Sequence, residues 1–221
     1  APGEKEQIQK PDLGKGLNWV PAIEVFGEGI FLSLKESSLV KWENKLGRDV
    51  RAEMEDLVQR KHDRNFWFLP DPSPRLLLLH TLAHILIRQL VFESGYSSSS
   101  IRERIYAAGH SDGAGMAGIL IYTADSDSEG SLGGLVRQGE RDRFVPTLVK
   151  AIERALWCAA DPICSETQGQ GLGGLNRAAC HACTLLPETS CVLSNTMLDR
   201  GFLYGRENPK ILGFFERALE S

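Results

Sequence analysis

Pro74-Arg75-Leu76-Leu77-Leu78-Leu79-His80-Thr81-Leu82-Ala83-His84-Ile85-Leu86-Ile87-Arg88-Gln89-Leu90-Val91-Phe92 decides how the rest of the chain must be arranged. Its apolar side chains fall on nearly every face of a helix rather than along one stripe. A helix over 75–92 is therefore expected to lie at the centre of the fold, covered on all sides. The peptide before it, Leu69-Pro70-Asp71-Pro72-Ser73-Pro74, reads as a rigid turn that delivers the chain into the first helical turn. His80, His84, Arg88 and Gln89 interrupt the apolar run, so no membrane span is expected.

Working outward, Trp19 to Leu34 places β-branched and aromatic residues on both sides of Gly27-Glu28-Gly29, the pattern of a two-stranded hairpin. Residues 37–62 carry apolar side chains at helical spacing, with a break expected near Gly47. Beyond the central helix, Gly95 to Ser100 is a turn. Ser100 and Glu103 stand at capping-box spacing, which predicts a helix through Arg102, Arg104 and Tyr106. Gly118 to Thr123 is a short apolar strand, residues 142–158 an amphipathic helix, and residues 207–219 a terminal helix. The expected class is α+β: a small β-sheet packed with a central buried helix, plus a loop-rich lobe in which Cys164, Cys180, Cys183 and Cys191 could bind zinc. Residues 1–16, polar and rich in Lys, Glu, Gly and Pro, are expected to be a flexible lead-in. Residues 17–221 then form a single domain whose zinc lobe occupies about 158–200.

That lobe is read from sulfur. Cys164, Cys180, Cys183 and Cys191 form the pattern C-x15-C-x2-C-x7-C. A C-x2-C pair lets two thiolates face one tetrahedral ion, and two further cysteines complete the set. The segment from Asp161 to Ser194 has little periodic apolar pattern, so a metal would supply the order that a core does not. The ligands expected of a structural Zn2+ are Cys164, Cys180, Cys183 and Cys191. Cys158 and His181 are held in reserve, although His181 lies between the paired cysteines and should point away. The plain alternative is a set of free buried thiols.

His80 and His84 sit one helical turn apart. They share the spacing of an H-E-x-x-H protease, but Thr81 stands where the general base would be. The favoured reading is a pair of core histidines bonded to carboxylates or carbonyls, with Asp127 and Glu129 as candidate partners. The enzymatic alternative is a hydrolase or nuclease using His80, His84, Asp127 and Glu129. The acidic, Gly-rich stretch from Asp125 to Gly134 lacks the lysine of a P-loop.

The 221 residues carry a net charge of -4, so any DNA contact must come from a local patch or from a partner, and a pure protein-interaction scaffold is a further alternative. Five cysteines, an odd number, suit reduced thiols and a cytoplasmic setting better than a disulfide framework. The first residue is Ala1 and no signal-peptide core follows it, which is expected of a piece of a longer chain.

Four groups of residues carry a resemblance: Trp19 to Phe31; Leu79-His80-Thr81-Leu82-Ala83-His84; Ile121-Tyr122-Thr123 with Asp127 to Gly130; and Asn176 to Cys183 with Leu198-Asp199-Arg200. Together they resemble the C-terminal domain of the DrmB family, from the DISARM anti-phage defence system, and its relatives with an MrfA-type zinc-binding (MZB) domain. The resemblance implies a non-catalytic, zinc-stabilised domain of a DNA-processing defence protein. It implies as partners a DrmA-like, helicase-type ATPase subunit and DNA, including ends with single-stranded overhangs. It also carries the four-cysteine set onto Cys164, Cys180, Cys183 and Cys191, the first ligand being the least well matched because a long Gly-rich loop separates it. No Walker motif is present in the chain, so ATP hydrolysis is expected of the partner.

Overall fold

A computed structural model describes residues 18, 27–109, 115–123, 134–207 and 210–216. Helix α3 (Pro74–Ser94) starts where the sequence places it. The Ser73 hydroxyl accepts the Leu76 N–H at 3.2 Å, and Pro74 opens the first turn, where its missing N–H costs nothing. The helix stops at Gly95, whose φ of 74° is the left-handed conformation that glycine adopts without strain. Its apolar faces are covered by strands β2 (Ile101–Tyr106) and β3 (Gly118–Thr123) and by helices α4 (Gly134–Gln138), α5 (Arg141–Ala155) and α7 (Gly201–Tyr204). By length and composition alone α3 would suffice to cross a membrane, which differs from the sequence expectation. In the fold, however, that apolar surface is spent on the core: Leu77, Leu78, Leu79, Leu82, Leu86, Ile87 and Leu90 are fully buried. Ser73→Ala should cost about 1 kcal/mol through the lost cap. Chemical denaturation should show it as a lower midpoint with an unchanged slope.

The sheet is antiparallel in the order β1-β3-β2, with β1 at Gly29–Ser33. Gly29 faces Tyr122 and Ser33 faces Gly118 on one side of β3, while Ile101 faces Thr123 and Tyr106 faces Gly118 on the other. The first arm of the expected hairpin, residues 19–26, lies outside the described residues, as does the lead-in at 1–16. The second arm is β1, and its described partner is β3.

Residues 101–106 correct the helix expected there. They form a strand in which Ile101 and Glu103 are buried while Arg102 and Arg104 are exposed. That alternation has the two-residue period of a pleated strand, and pairing with β3 overrides the capping-box signal.

Helices α1 (Glu36–Glu43) and α2 (Arg48–Asp63) break at Gly47, as expected. Arg75, buried at the start of α3, donates to the carboxylates of Glu36 and Glu43 at 2.8 and 2.9 Å and to the Ala108 carbonyl at 2.8 Å. It thereby fastens α1 and the end of β2 to the central helix. At the other end of α3, Glu93 accepts from Thr147 and Lys150 of α5. The terminal helix expected over 207–219 does not start there. Arg206 and Ile211 instead exchange backbone hydrogen bonds of 3.0 and 2.7 Å, and residues 217–221 lie outside the described residues.

Candidate metal centre

After α5 the chain has almost no regular structure until α7, apart from the four-residue helix α6 (Ile163–Glu166) and a short 3-10 turn at Leu172–Gly174. Order comes from two segments that run side by side in the same direction. The N–H of Met197 reaches the carbonyl of Leu175, the N–H of Arg177 reaches that of Leu198, and the Asn176 side chain bridges Asn195 O and Leu198 N. Gly171, at φ 71°, permits the close approach of Asn176, because a Cβ there would lie 2.5 Å from the side-chain amide nitrogen.

Four sulfurs converge within this lobe: Cys158, Cys164, Cys180 and Cys183. The Sγ separations are 3.5 Å for Cys158–Cys180, 3.8 Å for Cys164–Cys183 and 3.8 Å for Cys180–Cys183. Zn–S bonds of about 2.3 Å in a tetrahedron put the sulfurs about 3.8 Å apart. The donor set therefore fits a four-thiolate ion without rearrangement.

The surroundings also suit thiolates. Cys183 Sγ faces the Cys180 N–H at 3.3 Å and the Thr184 hydroxyl at 3.2 Å, and Cys158 Sγ faces the Ala160 N–H at 3.4 Å. Hydrogen bonding from the Cys164 thiol, aided by Thr184 and Arg200, holds the Cys183 thiol down at about 4. The same proton sharing, together with burial, pushes Cys164 up. Arg200 is fully buried behind the cluster, with its guanidinium 3.8 Å from Cys164 Sγ.

Of the four cysteines expected as ligands, the structure brings Cys164, Cys180 and Cys183 together and leaves Cys191 elsewhere. Cys158 completes the set, which corrects the expected one. The physical reason is the path of the chain. α5 ends at Ala155, and the Asp161 carboxylate accepts the Cys158 N–H at 2.8 Å, turning that residue into the lobe. Residues 184–190 run the other way, toward β2, where the Glu103 N–H donates to the Ser190 carbonyl at 3.2 Å. His181 is exposed and outside the cluster, pointing away as expected.

Cys191 joins the histidine pair. His80, His84, Glu103 and Cys191 are all buried, with their ligating atoms within 4.8 Å of one another. His80 Nε2 is 3.0 Å from Glu103 Oε1 and 3.2 Å from Cys191 Sγ, and His84 Nε2 is 3.4 Å from the same carboxylate oxygen. Burial would lower His80, but Glu103 and Cys191 beside it raise it to about 10. Burial would raise Cys191, yet hydrogen bonding to His80, with the His84 ring close by, brings it down to about 7. The histidines thus meet a carboxylate and a carbonyl, as the sequence suggests, but the carboxylate is Glu103. Asp127 and Glu129 lie outside the described residues. A helical reading of 101–106 gives Glu103 a capping role, whereas the alternation in Ile101-Arg102-Glu103-Arg104-Ile105 turns it into the core.

All four converging sulfurs, Cys158 to Cys183, lie in the segment that the comparison with known families selects. Residues 82–184 match the MrfA Zn-binding domain family, MZB. Among curated proteins, the chain is similar to the DISARM protein DrmB of Bacillus paralicheniformis, being 41% identical over 205 residues. That alignment covers 91% of this chain and 36% of the relative, so the chain spans about a third of that protein's length. The resemblance carried by the quoted peptides is thereby shown.

Proposed function

We propose that this chain is a zinc-stabilised, non-catalytic module of a DrmB-like DISARM defence protein that contacts DNA, a DrmA-like helicase-type ATPase subunit, or both. The observation that carries this reading is the four-sulfur cluster and the surface built around it. Trp157 precedes Cys158 and is 70% exposed, and Ile163 precedes Cys164 and is 76% exposed. Trp157 also lines a cleft with Phe92, Arg88 and Arg154, and the Arg154 guanidinium lies 4.7 Å from the centre of the Phe92 ring. Exposed rings beside arginines suit stacking on unpaired bases or on the apolar side chains of a partner. Five free thiols suit a reducing compartment such as the cytoplasm.

A hydrolytic role for the histidine pair has less support, because both imidazoles are fully buried and their acidic neighbour is buried too. The test is binding of duplexes with single-stranded overhangs, and of a helicase-type partner, titrated with salt. Trp157→Ala should weaken one of these by roughly tenfold, within the range for loss of one stacked base. A steep fall of DNA affinity with salt would identify phosphate contacts. Binding of neither ligand by the wild type, or equal binding by wild type and variant, would defeat the reading.

A further inference from the structure

We propose that His80, His84, Glu103 and Cys191 form a second structural metal site, holding a divalent ion of the zinc class independently of the four-sulfur cluster. His84 Nε2 and Glu103 Oε2 are buried and make no hydrogen bond among the described residues. Both belong to fully buried side chains, where an unsatisfied polar atom is costly.

The proton positions fit a ligand. His84 Nδ1 lies 3.1 Å from the Thr184 carbonyl, which can only accept, so the hydrogen sits on Nδ1 and the lone pair of Nε2 faces the cluster. Cys191 Sγ accepts the backbone N–H groups of Leu193 at 3.4 Å and Asn195 at 3.2 Å, an arrangement that stabilises a thiolate. Metal–ligand bonds of about 2.0–2.3 Å in a tetrahedron separate N, O and S donors by about 3.3–3.6 Å. The observed 3.0, 3.2 and 3.4 Å need adjustments of only a few tenths.

A divalent ion with two neutral imidazoles, one carboxylate and one thiolate leaves the interior neutral. The mixed nitrogen, oxygen and sulfur donors favour zinc over magnesium or calcium. With four protein ligands and no exposed face, the site is closed and structural rather than catalytic. It would clamp α3, β2 and the far end of the lobe to one another. Cys191 and His80 lie outside the matched residues 82–184, so this site is not a restatement of that match.

The test is elemental analysis with zinc-edge X-ray absorption on the intact chain and on Cys158→Ser and Cys191→Ser. Two equivalents of zinc, with imidazole scattering in the wild type, are expected. Cys158→Ser should retain one ion with imidazole scattering, and Cys191→Ser one ion with sulfur scattering alone. If Cys191→Ser does not fold, the wild-type stoichiometry and imidazole signal decide. One equivalent with all-sulfur scattering would overturn the second site while leaving the four-sulfur cluster intact. No zinc at all would overturn both.

Discussion

Cys183→Ser should bind one equivalent of zinc fewer than the wild type and lose the ordered lobe. Its sulfur is the hub of the cluster, 3.8 Å from both Cys164 and Cys180, and hydrogen bonding already biases it toward the thiolate. Structural zinc contributes about 10–16 kcal/mol of apparent binding energy in small domains. Whole domains are stable by only about 5–15 kcal/mol, so a loop-rich lobe cannot absorb such a loss. Limited proteolysis should cut the variant between α5 and α7 while helical circular dichroism largely persists, because α3 is held by its own contacts. A variant that kept its full zinc complement and its wild-type melting curve would sink the four-sulfur assignment.

Arg200→Ala should be the most damaging substitution outside the ligands. This fully buried guanidinium donates to the Ala155 carbonyl at 2.6 Å, to the Ala178 carbonyl at 2.9 Å and to Asp161 at 3.2 Å. It joins the end of α5, the cysteine-rich loop and the turn carrying Cys164, and its guanidinium lies 3.8 Å from Cys164 Sγ. Removing one partner of such a network costs about 3–5 kcal/mol. At about 2–4 °C per kcal/mol for a domain of this size, the melting temperature should fall by roughly 6–20 °C. Zinc should also pass to a chelator faster. Arg200→Lys restores the charge but cannot span two carbonyls and a carboxylate at once, so it should recover only part of the loss. A shift of a degree or two for Arg200→Ala, with unchanged zinc release, would contradict this account.

The elements legible in sequence are those whose information is local. The apolar run of α3, the short strand β3, the amphipathic α5 and the break at Gly47 each follow from neighbouring residues. The C-x2-C pair is local too, and both its sulfurs lie in the four-sulfur cluster. The fourth ligand is not local: Cys158 and Cys191 are both within reach of Cys180 along the chain, and only the direction of the loops separates them. Five cysteines and a histidine pair one turn apart divide in space into four sulfurs and a mixed set. Glu103 was lost to a wrong period. A capping box read at Ser100 outweighed five alternating residues, whereas pairing to β3 and burial beneath α3 decided the strand. Arg200 stood in a quoted motif without a role, since its partners lie 22 to 45 residues away in sequence.

The central helix is held by its own core contacts, while the cysteine-rich face depends on a few hydrogen bonds, the Arg200 network and the converging sulfurs. A newly made chain in a cell short of trace metal is therefore expected to assemble its interior and leave that face open. Later metal supply should then complete it. Nutrition, and not synthesis alone, would then set how much of it is competent.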